Sequence, residues 1–161
     1  FLDEVYHPRS FDQVAYEDFA SDPGVFELGD GTSHDATEEA IRIAHAPGGA
    51  SPGCATGAID LSDAEALKVA FRYRPESMEA GKKLLVELGG GGAEWTEILT
   101  LESEVDFRNG AEDYGFVRLT SDAAPFVSDA RIRLRCEGSD ASDAILVLDI
   151  GIYARPSDAP R

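Results

Sequence analysis

Asp149 stands inside the apolar run AILVLDIGIYA at 144–154, and a carboxylate there needs a hydrogen-bond donor or a cation. An unpaired charge buried among apolar side chains would cost several kcal/mol or more. A second chemical group is the row Arg131, Arg133 and Arg135, which alternates with Ile132, Leu134 and Cys136. Planar guanidinium groups suit fixed interfaces better than lysine ammonium does, so the row is a candidate partner-docking surface; alternatively it neutralises acids on an adjoining strand. Trp95, Tyr73 and Tyr114 are candidate sugar-stacking platforms, since aromatic faces pack well on the apolar faces of sugars. Cys54 and Cys136 permit one disulfide or remain two buried thiols.

Other reactive residue types lack the spacing that chemistry requires. His7, His34 and His45 are far apart and make no metal-binding pattern with cysteine or each other. No GxSxG nucleophile motif accompanies the His34-Asp35 pair. Acid pairs such as Glu38-Glu39, Glu102-Glu104 and Asp140-Asp143 follow from 31 acids in the chain rather than from a glycosidase dyad. The glycines at 89–92 are followed by no Lys-Ser/Thr pair, which makes a hairpin turn the reading and excludes a phosphate loop. Nothing here points to an enzyme.

The elements that would position these groups are strands. From Val14 onward, short β-prone runs recur between strong turn signals, APGGASPG at 46–53, GGGGA at 89–93 and EGSDASD at 137–143. That rhythm predicts an all-β, antiparallel two-sheet sandwich. LKVAFRYR repeats the alternation of RIRLRCE, and the two strands could sit side by side. PESMEAGKKLLVEL competes as a helix, but Gly81 interrupts it, leaving a helical turn followed by a strand. The expected organisation is an N-terminal arm at 1–13, a sandwich at 14–155 and a tail at 156–161.

Size and charge bound the rest. The 161 residues, 43% hydrophobic and 28% charged, suit one globular domain. A net charge of −17 excludes nucleic acid, whose phosphates need clustered bases. No apolar run approaches the roughly 20 residues that span a bilayer, so the chain is not expected to be membrane-spanning. Because it starts at Phe1, it is expected to be a processed chain or part of a longer one.

The order YEDF, AIDLS, FRYRPESME, GGGGAEWTEI, DFRNG and RIRLRCEGSDASDAILVLDI resembles jelly-roll modules of the MAM and carbohydrate-binding kind, over about Tyr16 to Tyr153. The resemblance implies a jelly roll with its first and last strands adjacent, and a structural calcium between them. In that pattern the first strand ends in an aromatic followed by Glu, and the last carries paired acids. Here Ala20 stands in the first place and Ile150 in the second, with Asp149 kept. Glu17, Asp18 and Asp35 would join Asp149 as calcium ligands; otherwise Asp149 accepts backbone or arginine hydrogen bonds. In the same pattern Trp95 would help begin a strand.

Two functions follow. The departures from the pattern, the 9% aromatic content and the apolar arm favour a non-catalytic interaction or structural subunit. It would dock into a larger protein assembly through Phe1, Leu2, Tyr6, Phe11 and the arginine row, in a secreted or organelle-lumen setting. The alternative is a carbohydrate-binding module of a secreted protein, with a glycan as partner.

Overall fold

The computed structural model describes residues 11–90 and 92–157. They form eleven strands: β1 Asp12–Glu17, β2 Phe26–Leu28, β3 Thr32–Asp35, β4 Ala40–Ala44, β5 Cys54–Thr56, β6 Ala64–Glu76, β7 Lys83–Gly90, β8 Ala93–Glu102, β9 Asp113–Thr120, β10 Arg131–Glu137 and β11 Ala144–Pro156. One sheet runs β3-β4-β11-β6-β9, with β1 also on β11; the other runs β2-β5-β10-β7-β8. All pairings between these strands are antiparallel. The expected sandwich is the observed one, and its first and last strands pair as the jelly-roll resemblance implies.

Period-2 alternation builds the core. Leu67, Val69, Phe71 and Tyr73 of β6 turn inward, as do Leu84, Val86 and Leu88 of β7 and Ile132, Leu134 and Cys136 of β10. The alternating strands β6 and β10 therefore do not sit side by side. They belong to opposite sheets, because each carries its apolar residues on one face and a sandwich buries two such faces against each other. Tyr73 is 1% exposed, with its ring 5.8 Å from that of Phe107. That burial removes it from the sugar-stacking candidates.

Strand β11 explains Asp149. Ile145 and Val147 point inward, then a bulge between Val147 and Asp149 adds a residue and resets the alternation. Ile150 and Ile152 thus continue the core, and Asp149 emerges on the outer face, in register with Arg72 of β6. Ile150, in the place of a second acid, is 1% exposed.

The turn signals act as read, with one addition. β7 and β8 form a hairpin in which Gly90 pairs with Ala93. The segment 77–82 makes a bend and a turn rather than a helical turn, since β6 extends to Glu76 and Met78 drops into the core. In the loop after β10, Asp143 is 1% exposed and accepts N–H bonds from Glu79, Ser139 and Asp140. Burial alone would raise its carboxyl, but those donors hold it below the ordinary range.

Candidate functional site

A cleft of about 390 Å³ opens on the outer face of the five-stranded sheet, lined by Glu27, Ser51, Pro52, Trp95, Arg131 and Arg133 among others. Register assembles it. Glu27 on β2, Ala55 on β5, Arg133 on β10, Glu87 on β7 and Glu97 on β8 are successive cross-strand partners, so their side chains share one face. One row along, Arg131 faces Gly89. The small residues Ala55 and Gly89 keep the floor low between the charged side chains.

The arginine row is held by the sheet's own acids. Arg133 Nε donates to Glu87 Oε2 at 2.6 Å, and Arg135 Nη2 donates to Glu87 Oε1 at 3.2 Å. The Glu87 side chain is 7% exposed and that of Arg133 16%. Burial pushes the Glu87 carboxyl up, but the hydrogen bonds and charges of the two arginines win and leave it below its ordinary range. Arg131 leans the other way, with Nε on the Thr56 carbonyl and Nη2 on Glu27 Oε2, both at 2.7 Å.

Trp95 lies in this cleft, partly exposed and outside the core cluster. A Cβ on Gly89 would fall 2.7 to 3.0 Å from three atoms of the indole, so the ring rests directly on the glycine backbone. The Arg133 guanidinium carbon sits over the ring, 4.3 Å from its centre, a cation–π contact of about 0.5–2 kcal/mol. The indole thus contacts both Gly89 and Arg133. The lining therefore offers guanidinium donors, the Glu27 carboxylate and backbone carbonyls. Its thiol, Cys54, is pushed up to about 12 by burial and is no nucleophile.

The other predicted residues are dispersed. Asp149 Oδ2 accepts from Arg72 Nε at 2.9 Å, and Arg72 also reaches Glu112 at 2.9 Å. The Asp149 side chain is 26% exposed, so the bulge places it at the surface rather than deep within the apolar run. Glu17 accepts from the Val25 N–H, Asp18 from Ala20, and Asp35 from Thr37 and Glu38. Among the described residues no three His, Cys, Asp or Glu side chains gather as a metal-holding group.

Tyr114 is 75% exposed on β9, on the opposite sheet from Trp95. His34 donates to the Phe19 carbonyl at 2.8 Å, and His45 accepts from the Gly138 N–H at 3.1 Å. Phe1, Leu2, Tyr6 and His7 lie outside the described residues. Phe11 lies within 5.1–5.6 Å of the Lys68, Arg118 and Arg155 cations.

Of the two readings left open for Cys54 and Cys136, the structure has the two buried thiols. Cys54 pairs with Leu134, which leaves Cys136 on the diagonal of the β5–β10 ladder. Diagonal neighbours lie roughly 7–8 Å apart, beyond the reach of a relaxed disulfide.

No protein-family model matches the sequence, and no curated protein matches it. Solved structures do. The chain is similar to the CBM22-1 xylan-binding domain from Paenibacillus barcinonensis, with TM-score 0.64 and 13% identity over 92% of this chain and 98% of that one. It is similar to the xylan-binding module CBM15, with TM-score 0.61 and 8% identity over 92% and 99%. A cellulose-binding domain of Cellulomonas fimi β-1,4-glucanase C gives TM-score 0.57 and 14% identity over 92% and 97%. The fold is that of the jelly-roll carbohydrate-binding modules.

These likenesses overturn the docking-subunit reading in favour of its alternative, since binding modules share the fold across nearly the whole chain. The physical basis for docking is weaker too, since Glu27 and Glu87 already engage the arginine row.

Sequence reasoning picked out Trp95 and the three arginines but missed Glu27, Glu87 and Gly89. The signal for Glu87 was available: in LLVELGG it alternates with Leu84, Val86 and Leu88, which puts an acid on the outer face where the arginine row needs one on an adjoining strand.

Proposed function

We propose that the chain is a non-catalytic glycan-binding module of a secreted protein, with its ligand in the cleft on the outer face of the five-stranded sheet. The observation that carries this reading is the cleft itself: Trp95, Arg131, Arg133 and Glu27 converge on one concave surface of about 390 Å³. That size falls within the range of small-ligand sites, in which a few placed polar groups give orientation. The similar structures are xylan-binding and cellulose-binding domains, which supports a plant-type polysaccharide as the ligand class. Hydroxyl-rich chains suit a lining of guanidinium donors and carboxylate acceptors.

Affinity electrophoresis through gels containing xylan, soluble cellulose derivatives or mannan tests it. Retardation by at least one polysaccharide, lost in Arg133→Ala, is the expected result. Free migration through all of them would overturn the reading.

A further inference from the structure

The covered indole narrows the ligand class. Arg133 lies over the Trp95 ring and Gly89 close against it, so the indole already has a partner where a sugar would stack. Arg133 is in turn fixed by a carboxylate that is almost fully buried. A sugar laid flat on the indole would have to break that contact. Recognition must then come from the polar groups, and among the described residues the terminal nitrogens of Arg133 have no hydrogen-bond partner.

Arg131 carries the second clue. Its Nε is pinned by the Thr56 carbonyl, so the guanidinium is pre-oriented. Its Nη2 holds a carboxylate, that of Glu27, at 2.7 Å. Yet the Glu27 side chain is 73% exposed and stands on a three-residue edge strand. An ion pair so open to water is weakly held. Glu27 therefore occupies, in a replaceable way, the position that a ligand carboxylate would take.

Resting on the glycan reading, we infer that the cleft recognises acidic glycans, with the carboxylate of a uronic acid displacing Glu27 from Arg131 and reaching the outward edge of Arg133. Guanidinium matches carboxylate in shape and charge, and such hydrogen bonds are about twice as strong as neutral ones. The chain's net charge of −17 does not forbid this. At physiological salt, charges beyond about 8 Å are largely screened, so the local arginines decide.

The test is isothermal titration of the full chain with glucuronoxylan and with the same polysaccharide after its carboxyls are reduced to alcohols. Affinity at least tenfold higher for the acidic form is expected. Glu27→Gln should raise that affinity several-fold by removing the internal competitor, and Arg131→Gln should erase the difference between the two polysaccharides. Equal binding of both forms would overturn the inference while leaving the glycan reading intact. Binding of neither would also overturn the inference, and the glycan reading would then stand or fall on the other polysaccharides of the electrophoresis. Circular dichroism of each variant establishes that the sandwich has folded.

Discussion

Glu87 lies beneath Arg133 and fixes the plane in which that guanidinium covers Trp95. The carboxylate oxygen is 2.6 Å from Arg133 Nε, and the guanidinium carbon is 4.3 Å from the indole centre. A buried acid, a half-buried base and the single tryptophan of the chain thus form one stack. Removing the acid leaves Arg133 without its counter-ion and Arg135 with only the more exposed Glu137, 3.8 Å away. Glu87→Ala should destabilise the fold by about 3–5 kcal/mol, as uncompensated buried charges do. Urea denaturation followed by tryptophan emission measures this, and a loss below about 1 kcal/mol would mean that water already satisfies the pair.

Glu87 and Asp143 both titrate below the ordinary carboxylate range in the folded chain. The unfolded state then binds protons more readily than the folded state, so acid favours unfolding. Their contribution is fully present above the unfolded value of about 4 and is lost as pH falls through the lower folded values. Thermal midpoints should be flat with respect to these two groups above about pH 5 and fall below it. Replacing Asp143 by Asn should flatten the acid limb while lowering the plateau.

Gly89→Ala tests the seat of the indole by sterics alone. The added methyl would meet ring atoms at 2.7 to 3.0 Å, closer than carbon contacts allow, so Trp95 must move. Its emission should shift to the red as it leaves its seat against Gly89, with weaker glycan binding. An unchanged spectrum would show that the ring does not rest on Gly89.

Cys54 and Cys136 should resist alkylation in the native chain, because burial pushes both thiols up to about 12 and hides them. Denaturation without reductant should then yield two adducts by intact mass. No adduct would reveal a bridge that the diagonal geometry opposes.

Asp149 and Arg72 form a surface pair, with side chains 26% and 37% exposed. Asp149→Asn should cost about 1 kcal/mol or less. The cost should be equal in calcium and in chelator. A midpoint that rises with calcium only when Asp149 is present would place a cation there.

How far the fold was legible follows from these residues. Alternation in LKVAFRYR and RIRLRCE reveals which side of each strand is core, because period 2 is written in residue type. It does not reveal which strands are neighbours, and the two proved to lie in opposite sheets. Asp149 was legible as a residue needing a partner, but its exit to the surface depends on a bulge that composition does not announce. The cleft was partly legible: Trp95 and the arginines stand out by type. Glu27, Glu87 and Gly89 join them only through cross-strand register, over sequence separations of 46 residues for Glu87 and Arg133 and 104 for Glu27 and Arg131.

The most direct measurement of the central claim is the fluorescence of Trp95 during titration with xylan and with cellulose-derived oligosaccharides. As the only tryptophan, it reports the cleft alone. The account predicts a saturable change in emission with at least one glycan, abolished in Arg133→Ala. A glycan that binds by calorimetry without altering Trp95 emission, or no glycan binding at all, would contradict it.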